Sequence, residues 1–328
     1  MKTALCEQLG IEHPIIQAAI GGISCPELAA AVSNAGGLGS IAMTGWGKDG
    51  TMERITRTTQ LTNHGFVANL LLPYDIDEEL EAILSAPPKV VSLFWGDIAP
   101  YESRIHEAGS LLMITVGSVE EAKEAADKGA DIIVAQGWEA GGHVRGTTAT
   151  MPLIPQVVDA VDPVPVVAAG GISDGRGLAA ALCLGAQAAW VGTRFLGAKE
   201  ADAHPDYRKR VFHSAASDTY YSTLFDGGWA DAPGRVIRND TIDAWEAAGR
   251  PEIGARPGET DVIATSGEGD EIKRYGAYAM RSDMQGDIEA APLWAGQGVG
   301  LVTREQTSAE IIAEMMAEAK AALDRSRG

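Results

Sequence analysis

Eight short apolar runs in the first two-thirds of the chain constrain its fold more than any other feature. They lie at residues 14–20, 37–43, 65–72, 90–95, 111–116, 130–135, 164–169 and 188–195. Between them come Ala/Glu-rich stretches of helical period, the clearest at 26–34, 76–85, 101–108, 118–128, 151–160 and 174–184. Most of the runs are continuously apolar instead of alternating. That pattern predicts parallel strands covered by helices on both faces. Eight β-α repeats predict an α/β fold of the TIM (β/α)8 barrel kind. An open doubly wound sheet is the alternative.

Helix-end chemistry supports the repeat. Ser118 stands before Glu120 and Glu121, and that stretch stops at Lys128-Gly129. Ser173-Asp174 opens the next-to-last barrel helix. Thr307 and Glu310 form a capping box in front of an apolar stripe of Ile312, Met315, Met316, Ala319 and Leu323. This last helix is expected to close the barrel after the eighth strand. From 197 to 300 the rhythm stops, and Pro205, Pro233, Pro251, Pro257 and Pro292 break the chain up. The expected division is a barrel made of 1–213 and 301–328, with 214–300 as a substrate-side insertion over its mouth.

Composition narrows the function classes. With 45 acidic against 26 basic residues the net charge is −19, which repels both a nucleic-acid backbone and an anionic membrane. Hydrophobic residues make up 45%, enough for a large core, yet no run approaches the ~20 apolar residues of a membrane span. Cys6, Cys25 and Cys183 are too far apart for a disulfide framework or a metal spacing. The six histidines are scattered, so no metal is expected. A reducing, cytoplasmic setting follows. Whether the chain forms a homodimer stays open.

In a barrel, chemistry sits where the strands end. Four ends are unusual. Gln136 closes one strand and leads through Gly141 and Gly142, which let backbone approach a ligand, to His143, a candidate general base. Gly170 and Gly171 follow another strand and precede a capped helix, an arrangement suited to a phosphate. The segment Trp190-Val191-Gly192-Thr193 ends the following strand, where barrels commonly complete a phosphate site. Asn69 ends a buried strand and must bond either backbone or the polar edge of a ring. Gln17 poses the same choice on the first strand, and the small Ala18 beside it leaves room for a flat cofactor. The GxGxxG fingerprint of a dinucleotide fold is absent.

These strings resemble the nitronate monooxygenase family, formerly 2-nitropropane dioxygenase. The resemblance rests on His13–Gln17, Asn34–Gly39, Val67–Leu70, Ala135–His143, Ala169–Ile172, Val191–Phe195 and Leu293–Gly298, and it covers essentially the whole barrel. The stretch Ala135–His143 is also similar to one in FMN-dependent enoyl-acyl-carrier-protein reductases. The resemblance implies an FMN-dependent barrel that oxidises nitronates or nitroalkanes with O2. It implies that His143 removes the α-proton and that Asn69, Gln136, Gly141 and Gly171 contact FMN. Trp190, Val191, Gly192 and Thr193 would form the phosphate segment, and Gln297 would meet the flavin from the lid side. An NAD(P)H-dependent flavin reductase of enoyl thioesters or quinones is the alternative. The family's best-defined class places tyrosines around its substrate, whereas this chain has Phe94-Trp95 and Trp294, so a different substrate pocket is expected. Residues 224–235 resemble a segment in a subset of the family, and a lid packed by aromatics is its default reading.

Overall fold

All eight apolar runs form strands in the computed structural model, which describes residues 1–227, 229 and 231–325. In chain order they are β1 (Ile15–Gln17), β2 (Gly39–Ala42), β3 (Phe66–Leu71), β4 (Val90–Phe94), β5 (Leu111–Val116), β6 (Ile132–Gln136), β7 (Val166–Ala169) and β8 (Ala188–Val191). Each pairs in parallel with the next, and β8 pairs with β1 through Ile15–Ala189, Ile16–Trp190 and Gln17–Val191. A parallel bridge between Ile16 and Leu38 joins β1 to β2, with Gln17 N donating to Leu38 O at 2.9 Å and Leu38 N to Ile15 O at 3.0 Å. The ring is therefore a TIM barrel and not an open sheet.

Two cores follow from the two-residue period of the strands. Ile16, Leu38, Val67, Val90, Met113, Ile132, Val134, Val167 and Ala188 point inward and fill the barrel. A short helix, Ala4–Leu9, adds Leu5, Cys6 and Leu9 to that cluster and so plugs the N-terminal end of the barrel. The alternate positions, such as Ile15, Ile41, Ala68, Val91, Leu112, Ile133 and Ala189, face the helices in a larger outer core. Removing a side chain of Val or Ile size from water contributes about 1.5–3 kcal/mol, so the alternation fixes the register of every strand.

The expected caps are present. Ser118 Oγ accepts from Glu121 N at 3.1 Å, and Asp174 Oδ1 accepts from Gly177 N at 3.0 Å. Thr307 and Glu310 exchange the two bonds of a capping box at 3.2 and 2.8 Å. The helix they open, Ser308–Arg325, lies between Gly175–Cys183 and Pro26–Asn34, the place of the eighth barrel helix.

Between 197 and 300 the elements are small. Thr219–Ser222 and Gly234–Ile237 form a hairpin whose second strand also pairs with Gly142–His143. Val262–Thr265, Glu271–Lys273 and Gln285–Gly286 form another three-stranded sheet. Leu224, Phe225, Val236, Ile242, Tyr275 and Trp294 make a third apolar cluster. Of the segment 224–235, Gly228 and Ala230 lie outside the described residues. Among the described residues no helix is long and apolar enough to cross a membrane.

Candidate active site

The inward positions at the C-terminal end of the barrel are Ala42, Asn69, Leu71, Phe94, Thr115, Gln136, Ala169 and Trp190, and together they floor one cavity of about 280 Å³. Glycine-bearing turns form one side of it: Gly141, Gly142, Gly170, Gly171, Gly192 and Gly296. Trp46, Tyr74, Trp229, Ala277, Ala279 and Trp294 also line it. His143 is the one ordinarily titrating side chain near neutral pH on this surface, and among the described residues no Lys, Arg, Asp or Glu lines it.

His143 sits on the short strand Gly142–His143. Its Nδ1 lies 3.1 Å from the Ala232 carbonyl. A carbonyl only accepts, so Nδ1 carries the proton and Nε2 keeps its lone pair. The ring packs against Trp229, Trp294 and Trp95 at centroid distances of 4.2, 5.0 and 6.2 Å. Burial among these rings lowers its pKa from 6.5 to about 4, and the carbonyls of Ala232 and Pro233 offset this only in part. The imidazole is therefore neutral at physiological pH, the form a general base needs. Trp95 holds a left-handed backbone with φ 68°, a conformation a bulky side chain rarely adopts, and its ring packs on Trp229 at 4.9 Å.

Gln136 reaches the cavity but spends its amide on the loop beyond. Its Nε2 donates to His143 O at 3.0 Å, and its Oε1 accepts from Arg145 N at 3.0 Å. Asn69 is different: it is 9% exposed, and its side chain makes no hydrogen bond to any described residue. A buried amide facing a cavity without a partner is what the polar edge of a flat ring would satisfy.

The structure brings together Ala18, Asn69, Gln136, Gly141, Gly142, His143, Gly170, Gly171, Trp190, Gly192 and Thr193 around this one cavity. Three expected contacts do not line it. Gln17 and Val191 lie one residue out of phase with the inward positions Ala18 and Trp190, so both side chains point away from the lumen. Gln17 Oε1 accepts from Ser40 N at 2.8 Å and its Nε2 donates to Ser24 Oγ at 2.9 Å, while Val191 packs in the outer core. Gln297 is bypassed by its neighbours Gly296 and Gly298, and its backbone N bonds Glu139 O at 2.9 Å.

The phosphate expectation is also refined. Gly170 and Gly171 adopt φ 103° and 70°, open to glycine, and face the cavity. The helix behind them, Gly175–Cys183, has its first amides taken by carboxylates: Gly175 N donates to Glu318 at 2.8 Å and Gly177 N to Asp174. An anion here would meet the glycine loops and the turns at Gly192-Thr193 and Gly296, where Thr193 Oγ1 accepts from Gly296 N at 3.0 Å. The residues thus fit FMN at both ends: small Ala18 and Ala42 with a free Asn69 amide for the ring, and side-chain-free backbone for the phosphate. The aromatic lid expected at 224–235 supplies Trp229 to the cavity, whereas Trp46 was not singled out by the sequence reading. The signal for Trp46 was the count of seven tryptophans, of which Trp46, Trp190, Trp229 and Trp294 line the cavity.

The sequence matches the profile of the nitronate monooxygenase family over residues 2–318. The chain belongs to this family. It is an oxidoreductase on that ground. It is 31% identical to a (3aS,4S,5R,7aS)-5-hydroxy-7a-methyl-1-oxo-octahydro-1H-indene-4-carboxyl-CoA dehydrogenase of Rhodococcus jostii, over 99% of this chain and 97% of that one. Among solved structures, FabK from Thermotoga maritima superposes with a TM-score of 0.83 at 28% identity, covering 100% of this chain and 99% of that one. A nitroalkane oxidase from Streptomyces ansochromogenes gives 0.79 at 28%, covering 98% and 100%.

Proposed function

We propose that this family member is an FMN-dependent nitronate monooxygenase, with O2 as oxidant and His143 as the base. The observation that carries the reading is a neutral imidazole, proton fixed on Nδ1 by Ala232 O, lining a cavity whose remaining surface is uncharged. Asn69 would meet the ring edge, and Gly170, Gly171, Gly192 and Thr193 would hold the phosphate. FMN, when bound, supplies the electron transfer between substrate and O2. The chain supplies the rest. His143 Nε2 takes the α-proton of a nitroalkane, and the tryptophan walls exclude water and hold the carbon acid against the ring site. Residues 214–300 act as the substrate-side cover.

One observation favours a second reading. The Rhodococcus relative is named for a coenzyme A thioester. A thioester is also a carbon acid, so the same base would serve a reaction on an acyl thioester, with NAD(P)H as electron donor in the reductive direction. Anaerobic flavin spectra with a nitronate, an acyl-CoA and NADPH separate the two readings.

The test of the base is His143→Asn. It should keep fold and flavin while losing about 10²–10⁴-fold in rate on neutral nitroalkanes. The matching preformed nitronate, already deprotonated, should react at close to the wild-type rate. Equal losses on both would remove His143 from the role of base.

A further inference from the structure

The segment 224–235 supplies two of the contacts that define His143. Trp229 packs on its ring at 4.2 Å, and the Ala232 carbonyl holds its Nδ1 proton at 3.1 Å. The strand that follows keeps this stretch in register: Gly234 pairs with His143 and Arg235 with Gly142, and Val144 N donates to Pro233 O at 2.8 Å. That pairing is only two residues long on the His143 side. So short a ladder needs another anchor to hold a carbonyl in place.

Arg235 is that anchor. It is 2% exposed and among the largest fully buried side chains of the protein. Its Nη2 donates to the Trp138 carbonyl at 3.0 Å, and its Nη1 to Thr219 Oγ1 at 3.4 Å. The guanidinium lies over Trp138 at 4.3 Å and Tyr221 at 5.4 Å. No carboxylate pairs with it among the described residues, and its Nε has no partner. A buried guanidinium without a contact ion pair is costly, so aromatic faces, a carbonyl and the through-space charge of Glu139 must offset the lost hydration. Trp138 belongs to the loop that carries His143, and Thr219 and Tyr221 to the other strand of the hairpin. The side chain therefore ties the base's loop to the element that supplies the base's acceptor.

We propose that Arg235 is a positioning residue for the base: by clamping the 219–237 hairpin to Trp138 it holds Ala232 O against His143 Nδ1 and so selects the tautomer whose Nε2 is free to accept a proton. This rests on the reading of His143 as base. When the other ring nitrogen lacks a fixed partner, the tautomer is no longer specified, and free histidine imidazole prefers its proton on Nε2, the unreactive arrangement here. The segment 224–235 is then part of the catalytic apparatus and not only a cover.

The experiment is a long-range 1H–15N correlation spectrum of the holoenzyme, which reads the tautomer and titration of each histidine, with His143→Asn identifying the His143 signals. Wild type should show a proton on Nδ1. Arg235→Met should show mixed or Nε2-protonated His143, with circular dichroism and flavin content unchanged. Its rate on nitroalkane should fall by about 10²-fold, the scale of a misplaced reacting group, with the preformed nitronate little affected. Arg235→Lys, which keeps one donor for Trp138 O, should recover part of both. Tyr221→Leu, which removes one stacking face and leaves the guanidinium, should move the spectrum the same way to a smaller extent, and it carries the test if Arg235→Met does not fold. An Nδ1-protonated His143 in the folded variants would overturn the proposal. Because the spectrum needs no turnover, it reads the His143 tautomer separately from activity, so a failure of the functional reading and a failure of the Arg235 clamp are told apart.

Discussion

At the scale of single residues, the decisive property is the charge state of His143. Burial holds its pKa at about 4 in the folded protein against 6.5 for an ordinary histidine. If His143 is the base, as proposed, its neutral form is the active one, so kcat/KM for a nitroalkane should stay level from pH 8 down to about 5 and fall only towards 4. The sign for stability is the same. Between 6.5 and 4 the unfolded chain binds a proton that the folded chain refuses, so this residue's contribution is complete above 6.5 and is lost as pH falls through 4. His143→Asn should therefore unfold less steeply with acid over that interval than wild type, followed by circular dichroism. A wild-type rate that halves near pH 6.5 would show that the ring is less shielded than its three tryptophans imply. The same scale explains which site residues were legible. His143, Asn69 and the glycines stand at strand ends in strings of unusual chemistry. Gln17 and Val191 stand in the same strings but one step out of phase, and a two-residue period is hard to place on strands of three and four residues.

At the scale of elements, the strands were readable because each is a continuous apolar run covered on both sides. The helix Gly47–Leu61 was not among the clearest helical stretches, and its sequence shows why. Its buried face is Thr51, Ile55 and Thr58, so a helical stripe is present in the packing but not in the hydrophobicity. The strands of 197–300 are two to four residues long and pair with one another or with Gly142–His143, distant partners that local sequence does not encode. One glycine shows how tightly the elements meet. Gly39 opens β2 facing the helix Pro26–Asn34, and a Cβ there would lie 2.0 Å from Ala29 O. That neighbour is backbone, so no rotamer change relieves the overlap. Gly39→Ala should destabilise by at least the about 1–3 kcal/mol typical of overpacking, seen as a lower thermal midpoint. An unchanged midpoint would mean that the helix shifts freely on the sheet.

At the scale of the whole molecule, closure of the ring depends on the two ends of the chain. The first helix fills the bottom of the barrel, and the last, Ser308–Arg325, supplies the outer layer beside β8 and β1. The last helix is tied to the cavity side by one network of hydrogen bonds and ion pairs. Arg194 directly follows Thr193 of the cavity, is 5% exposed, and its Nη2 donates to Gln306 Oε1 at 2.6 Å and to Glu314 Oε2 at 2.8 Å. Gln306 Nε2 donates to the same Glu314 oxygen at 2.7 Å, and Arg304 reaches its Oε1 at 2.8 Å. The two ions are not equivalent. Glu314→Ala leaves Arg194 charged and buried without a counter-ion, a change worth about 3–5 kcal/mol in a fully buried pair. Here the carboxylate side chain is 29% exposed, so the loss should fall towards the lower end. Arg194→Met removes the buried charge itself and leaves Glu314 with Arg304 and Gln306, so it should cost less. Denaturant midpoints of the two variants decide the point. If Arg194→Met is the more damaging, the guanidinium acts as a brace for the turn after Thr193 through Gln306, and the ring is closed there by hydrogen-bond geometry instead of charge pairing.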